Sequence, residues 1–472
     1  MKSSKTFRTL CLALACAAFT FGLAVRAQAQ TVTFVTQFTG NLRAATGVVQ
    51  ATDGNFYGTD GGGANSRGDI FRMTPSGKVS TIYSFCSEPN CSDGEYPNPT
   101  PVLGSDGNLY GTAPAGANGP GTGFGTFFKM TLGGKLTTLY SFCPSSPCDD
   151  GVSPNGVVLA SDGNFYGTTP VAGKSDAGTI FQISPTGQFK LLYTFCSSAK
   201  CADGGNPGFP PIQGRDGNFY GTTSTGGTNE GGVVYELTPS GTYTVLHNFC
   251  APNDNTCKTG AVPSQLVQDT NGNFFGTTSS GVEVVFEFTS KHQYLVLHTF
   301  HSTAGGTFPS GLTLANDGNF YGTTAEGGTA GDGTVFEMTP SGKFTSLYSF
   351  SSSNGYNPAG TLFQGTNGNV YGATEFGAPP CCFGTIFRLS NNFSPLVETV
   401  PVAGKVGKQI IILGNGLTGT TSVKFNGKAA TFTVVSGTEI KATVPSGATT
   451  GTVSVVTPTG TLNSNPQFVV TK

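Results

Sequence analysis

At 472 residues the chain is longer than one hydrophobic core usually organises, so a repeat array or several domains are expected. Glycine (70) and proline (28) make up about a fifth of it, which demands frequent turns but falls short of aperiodic disorder. Only 11% of residues are charged, 24 Lys and Arg against 26 Asp and Glu, so no polyelectrolyte face exists to track a phosphate backbone, and nucleic acid is excluded as a partner.

In chain order, Lys2, Lys5 and Arg8 precede an apolar stretch, 10–25, that ends at Ala27-Gln28-Ala29. This is a secretory signal over residues 1–29. Its removal takes away four cations and no acids, moving the net charge from -2 to -6. Cys16 follows Leu14-Ala15 as in a lipoprotein signal, but the apolar stretch continues past it and Ala13 stands where a bulkier aliphatic is preferred. No later segment has the roughly 18 to 20 uninterrupted apolar residues of a membrane span.

The heptapeptide Asp53-Gly54-Asn55-Phe56-Tyr57-Gly58-Thr59 recurs from Asp106, Asp162, Asp216, Asn271, Asp317 and Asn367, at intervals of 46 to 56 residues. That period suits four short strands with their turns. Beta-branched and aromatic residues alternate in short runs bounded by Gly, Pro, Asn and Asp, which is the strand signal. Each unit reads as an apolar first strand (156–161), an Asp-Gly-Asn hairpin turn and a second strand through Phe-Tyr-Gly-Thr. A glycine-rich loop, a third strand (178–183), a Pro-Ser-Gly turn and a fourth strand (136–142 and its equivalents) complete it. After the seventh third strand, 384–389, no fourth follows, whereas 31–38 reads as an orphan fourth strand at the other end. We therefore expect an all-β chain: a seven-bladed β-propeller with four-stranded blades over 31–392, its last blade closed by the N-terminal strand. The tight turns lie on one face of the disc and the long loops on the other, where binding is expected.

From 393 to 472 the repeat gives way to short alternating strands without cysteine. Six Lys and two Glu give this segment +4, leaving -10 on the propeller. The stretches Val423-Lys424-Phe425-Asn426-Gly427 and Gly447-Ala448-Thr449-Thr450-Gly451, the latter before Val453-Ser454-Val455, resemble the IPT/TIG family of immunoglobulin-like domains. That resemblance implies an immunoglobulin-like β-sandwich acting as spacer or binding module, without catalysis. The repeat unit itself, Gly-Thr-Val-Phe through Thr-Pro-Ser-Gly-Lys to Leu-Tyr-Ser-Phe in 333–350, with Asp-Gly-Asn-Phe-Tyr-Gly-Thr-Thr in 317–324, resembles the GloVer (Gloeobacter/Verrucomicrobia) tandem-repeat family. This implies an exported bacterial protein, in the periplasm, at the cell surface or outside the cell, of undefined biochemical role. Members of that family often end in a sorting anchor, whereas this chain ends in the IPT/TIG-like segment.

Cys11 and Cys16 leave with the signal, and the other ten cysteines lie in close pairs. Export makes disulfides the expectation for Cys86 with Cys91, Cys143 with Cys148, Cys196 with Cys201 and Cys250 with Cys257, each directly after a fourth strand. Four separated two-Cys sites without nearby His would be odd zinc sites, so no metal is expected. The adjacent Cys381 and Cys382 are read as a vicinal disulfide, either stiffening Pro379-Pro380 or forming an apolar knob beneath a ligand. Quinone-cofactor propellers pair such a ring with tryptophan, which this chain lacks, and no cofactor is expected.

Other motifs fail on context. Gly414-Asn415-Gly416-Leu417-Thr418-Gly419 spells a dinucleotide fingerprint, but a strand rather than a helix follows. Arg67-Gly68-Asp69 matches an adhesion tripeptide, but Asp69 begins a strand. His247 and His298 replace the Tyr of the repeat, and only His301 stands as a histidine binder. Loop-face carboxylates (Asp60, Glu95, Asp176, Glu230, Glu326, Asp332, Glu375) offer the catalytic route, since glycosidases place two across a sugar. No arginine cluster suggests a sialidase. The leading reading is a secreted, non-catalytic protein whose loop face binds a glycan or surface partner through Tyr96, Phe124, Phe209, His301, Phe308, Tyr356, Phe376 and Phe383. An extracellular carbohydrate-active hydrolase or lyase, and a purely architectural surface protein, are the alternatives.

Overall fold

The structure, a computed structural model, describes residues 31–38, 47–97, 100–117, 123–250, 256–301, 305–377, 383–391 and 393–471. The signal segment and Cys381 with Cys382 lie outside the described residues. The chain is all-β, and among the described residues two short 3₁₀ turns, Pro89–Cys91 and Ala199–Cys201, accompany the strands.

Four-stranded antiparallel sheets follow one another along the chain. The third is typical: Val157–Leu159, Phe165–Thr169, Thr179–Ile183 and Phe189–Thr194 pair in sequence order. Among the described residues seven sheets follow this order, the fifth and sixth with the inner strand split in two (Ala261–Pro263 with Val267–Gln268, and Thr307–Pro309 with Thr313–Leu314), and in the seventh Thr31–Gln37 supplies the outer strand beside Thr385–Ser390. A bulge marks the outer pair at the same place in each sheet, at Ile180/Phe181 in the third. The N-terminal strand carries its own between Phe34 and Thr36. An extra residue there bends and twists the outer strand, so the N-terminal segment reproduces even the irregularity of the strand it replaces.

The motif Phe-Tyr-Gly-Thr explains the packing between sheets. Alternation sends its Phe to the preceding sheet and its Tyr to the next. Tyr110 meets Phe165 at 4.4 Å, Tyr166 meets Phe219 at 3.9 Å, Tyr220 meets Phe274 at 4.3 Å, and Tyr371 of the seventh sheet meets Phe56 of the first at 4.6 Å. The glycine makes room for a third-strand ring: a Cβ on Gly167 would lie 2.5 Å from Phe181 Cζ, and the six equivalent glycines meet rings just as closely. In the turn, Asp162 Oδ1 accepts the Asn164 N–H at 2.9 Å, while Oδ2 accepts from Asn164 Nδ2 at 2.9 Å and from the Tyr166 hydroxyl at 3.0 Å. The repeated aspartate is therefore consumed by its own turn and by the buried tyrosine.

The C-terminal segment forms two further four-stranded antiparallel sheets and a parallel pair, Ala403–Lys405 with Val469–Thr471. Its core gathers Val397, Ile410, Ile412, Phe425, Ile440, Val455 and Phe468. Ile411 and Leu413, on the opposite face of strand Gln409–Leu413, are buried against Tyr57, Leu103, Leu109 and Phe128 of the first two repeat sheets. Hydrogen bonds accompany this docking: Thr438 Oγ1 to Thr52 O at 2.6 Å, Asn465 Nδ2 to Leu314 O at 2.9 Å and Arg215 to Gln467 Oε1 at 2.9 Å. Among the described residues no ion pair spans the contact. The charge contrast between the two parts thus plays no visible role in holding them together.

Candidate functional site

The loop face is built from connections that each end in a residue followed by a buried proline. Tyr96-Pro97, Ser153-Pro154, Asn206-Pro207, Val262-Pro263, Phe308-Pro309 and Asn357-Pro358 lead into successive inner strands. The residue before each proline takes the left-handed conformation, with φ between 53° and 58°. Five of the six donate their N–H to a carbonyl of the preceding sheet, as Ser153 does to Phe124 O at 2.9 Å and Asn357 to Asp332 O at 3.0 Å. Phe308 instead donates to Glu283 Oε2 at 2.7 Å. Burial pushes the Glu283 carboxyl up, the Phe308 N–H opposes that, and the nearby Glu326 charge adds to it.

Behind this rim the expected disulfides Cys86–Cys91, Cys143–Cys148, Cys196–Cys201 and Cys250–Cys257 are formed. The Asp-Gly that follows three of them closes the loop. Asp203 accepts from Tyr193 at 2.6 Å and from the Ser197 N–H at 2.9 Å. Burial would raise its carboxyl, but hydrogen bonds from Ser198, Tyr193 and Ser197 outweigh it and hold Asp203 down at about 2. His247, standing where tyrosine stands elsewhere, stacks on Tyr294 at 4.2 Å, and burial lowers it to about 4.

The aromatic residues singled out from the sequence divide into two groups. Tyr96, Phe124, Phe209 and Phe308 are exposed by 39%, 37%, 38% and 49%, spread around the rim, and His301 is exposed as well. Tyr356 and Phe376 are a cross-strand pair whose rings stack on each other at 4.9 Å, and Phe383 packs against the core shared by the seventh and first sheets. Those three stabilise the loops, because each ring already has a protein partner. Tyr96 also has one, since Arg67 lies 5.4 Å from its ring centre and hydrogen bonds its hydroxyl.

Most of the loop-face carboxylates have local partners. Arg67 bridges to buried Glu95 at 3.3 Å, Asp332 accepts the Ser352 N–H at 2.7 Å, Asp176 the Ala172 N–H at 3.1 Å, and Glu375 the Asn357 side-chain amide at 2.6 Å. Glu230 and Glu326 are exposed. Asp60 faces Asp69 across the second and third strands of the first sheet, where the third, sixth and seventh sheets place threonine in both positions. Both are only 2% exposed, beyond the reach of a sugar chain. The one grouping with metal-ligand geometry among the described residues, Cys86, Cys91 and Glu95, has both sulfurs tied in a disulfide.

Sequence reasoning missed two features of the opposite face. Gln50, Gln213, Gln268 and Gln364 end their inner strands and stitch neighbouring sheets together: Gln213 Oε1 accepts the Ser161 N–H at 2.9 Å, and Gln50 Oε1 accepts that of Thr366 at 2.9 Å, joining the seventh sheet to the first. Their recurrence four residues before a turn glycine was a legible signal. The second is that cavities of about 520, 560, 200 and 340 Å³ lie where the C-terminal segment covers this face.

The sequence matches the Gloeobacter/Verrucomicrobia repeat over residues 17–210 and again over 206–435. No curated protein matches it. Among solved structures, the extracellular domain of a hybrid two-component system from B. thetaiotaomicron aligns with a TM-score of 0.48 at 11% identity, covering 94% of this chain and 58% of that one. A gluconolactonase from Xanthomonas campestris aligns at 0.39 and 11%, covering 76% and 99%, and an aldose sugar dehydrogenase from Streptomyces coelicolor at 0.38 and 12%, covering 76% and 98%.

Proposed function

The chain belongs to the Gloeobacter/Verrucomicrobia repeat family, and from that premise we propose that it is a secreted, non-catalytic binding protein whose loop face holds a glycan or surface partner. In this reading the repeat sheets are the seven blades of one propeller over 31–392, closed by the N-terminal strand, and residues 393–472 are an IPT/TIG immunoglobulin-like domain. Residues 1–29 are its export signal. Four disulfides suit an oxidising compartment. Among the described residues no helix is long and apolar enough to cross a membrane.

One observation carries the binding role. Tyr96 and Phe308 occupy rim positions whose left-handed backbone favours Asn and is disfavoured for a bulky side chain by about 1 kcal/mol. The equivalent positions hold Ser153, Asn206, Val262 and Asn357. Folding gains little from a ring that is 49% exposed, so the aromatic identity of Phe308 serves something outside the fold. Flat apolar rings presented on a rigid frame are what a sugar face stacks upon. Glycan-array binding of the mature protein, run beside turnover assays on whichever polysaccharides bind, tests this. Saturable binding without turnover, weakened by Phe308→Ala and Phe209→Ala, is expected. Turnover abolished by one carboxylate substitution would replace the reading with a hydrolase or lyase, and silence in both assays would leave an architectural role.

A further inference from the structure

The C-terminal segment does not fill all the space it covers. Between it and the inner strands of the fourth, fifth and sixth sheets lies a cavity of about 340 Å³ that is open to solvent. Ile212, Val267 and Leu314 line it from the sheets, Val402 and Val469 from the segment. Strand alternation builds the wall: Ile212, Val267 and Thr313 hold one register, each opposite an aromatic residue of its repeat motif, Tyr220, Phe275 and Tyr321. Val402 stays 36% exposed here, although Val400 and Val469 beside it are buried. An apolar side chain left open beneath a docked segment marks surface that the fold itself does not cover.

The single charged side chain in this lining is Arg215, from the turn after the inner strand Ile212–Gln213. Gln467 of the C-terminal segment holds its guanidinium at 2.9 Å, and Gln268 Oε1 accepts its backbone N–H at 3.0 Å. Among the described residues no carboxylate forms an ion pair with it, and none of its unengaged nitrogens is sealed from solvent. Burial pushes the Arg215 pKa down, and the charge of Asp269 does not make that good. Asp269 itself is turned to its own loop, where it accepts the Asn271 and Asn273 N–H groups at 2.8 Å. Glu398, whose carboxyl is pushed up to about 7 by burial, lines a separate void of about 200 Å³. The other polar side chains of the wall are spent on the protein: Gln213 and Gln268 each donate to a turn carbonyl at 3.1 Å, and the Thr313 hydroxyl donates to Leu362 O.

The cavity thus sets a desolvated cation with donors to spare beside an apolar wall. A carboxylate only accepts, and its two oxygens match the fork of a guanidinium. An amine would meet like charge, and a polyol would bring hydroxyls for which the wall has no partners. At about 30 Å³ per heavy atom the volume takes about ten of them, the size of an eight-carbon monocarboxylate.

We propose that this cavity binds a medium-chain aliphatic monocarboxylate, its oxygens accepting from the Arg215 guanidinium and its chain lying against Val267, Leu314, Val402 and Val469. Gln467 and Val402 belong to the C-terminal segment, so the site is complete only when that segment is docked, and the ligand stabilises the docked form. The site is separate from the rim, and neither reading depends on the other.

The test is calorimetric titration of the mature protein with sodium octanoate, with octan-1-ol, n-octylammonium chloride and sodium acetate as controls for charge and chain. Saturable octanoate binding is expected below about 1 mM, with affinity rising along the carboxylate series and levelling off at about eight carbons, where the cavity is full. Acetate and octylammonium should not saturate. Arg215→Gln should weaken octanoate about tenfold or more, and so should Val402→Phe, which fills the cavity and leaves the guanidinium in place. Val402 is already partly exposed, so that variant should fold, and cooperative thermal unfolding checks both. Octanoate should raise the melting temperature of the parent and of neither variant. No saturation by about 1 mM, octanol binding as tightly as octanoate, or undiminished affinity in folded Arg215→Gln or Val402→Phe would each overturn the assignment.

Discussion

The two faces of the repeat sheets use one motif in opposite ways. On the tight-turn face each recurring polar side chain serves the fold: Asp162 holds its own turn and Tyr166, Gln213 ties its sheet to the next, and the C-terminal segment covers much of what is left. On the loop face the backbone is held as firmly, by a buried proline and a fixed N–H bond in each connection, yet the side chain at the same place varies from Tyr96 to Ser153, Asn206, Val262, Phe308 and Asn357. Uniform backbone support lets the side chain vary, although Tyr96 and Asn357 still make local contacts with Arg67 and Glu375. A face whose side chains are all committed can only be covered, whereas a face whose backbone alone is committed can differentiate.

The largest effect should come from breaking the covered face. Leu413→Ala removes a fully buried side chain from the contact between the C-terminal segment and the first two sheets and should cost about 3 kcal/mol in guanidinium unfolding, with rim binding intact. Next comes Glu398→Gln. A carboxyl raised from 4.5 to about 7 penalises the folded state once it must ionise, so stability falls as pH climbs from about 4.5 to about 7 and stays reduced above. The amide should therefore gain on the order of 2 kcal/mol at alkaline pH and nothing below about 4.5, as read from melting curves across that range. Should the gain persist at low pH, packing rather than charge would explain it.

Much of this was legible beforehand because repetition turns weak local signals into strong ones. One Asp-Gly-Asn is only a turn, but five of them and two Asn-Gly-Asn at regular intervals, with an unmatched strand at 31–38, pointed to the sheets and to the N-terminal pairing observed at Thr31–Gln37. The docking of the C-terminal segment was left open although its mark was present. Ile410, Ile411, Ile412 and Leu413 are four consecutive apolar residues in one strand, and a strand apolar on both faces is buried on both. Attention to net charge obscured that. Glu398 could not have been found, since its burial exists only once the segment docks, and the same holds for the Asp60–Asp69 pairing across two strands.

Smaller effects belong to the loop face. Replacing Cys196 and Cys201 together with serine should cost no more than about 2 kcal/mol, because the closed loop is short and Asp203 still bridges it. That variant should also lose more stability than the parent as pH falls from about 4 toward 2, where protonation of Asp203 removes the remaining tie. Acid titration followed by circular dichroism checks both.

The smallest change in stability should be the most informative. Phe308→Asn installs the residue that Asn206 and Asn357 already provide at the same left-handed position. Asn relieves the backbone penalty while little packing is lost from a half-exposed ring, so unfolding should shift by only a few tenths of a kcal/mol, in the stabilising direction. If the rim binds glycans, affinity should nonetheless fall several-fold in the same variant. Stability and binding would then move in opposite directions at one residue, which is the behaviour of a side chain kept for its partner. A clear loss of stability would instead place Phe308 among the packing residues with Tyr356 and Phe376, and the distinction between a committed backbone and an uncommitted side chain would fail at the position that best displays it.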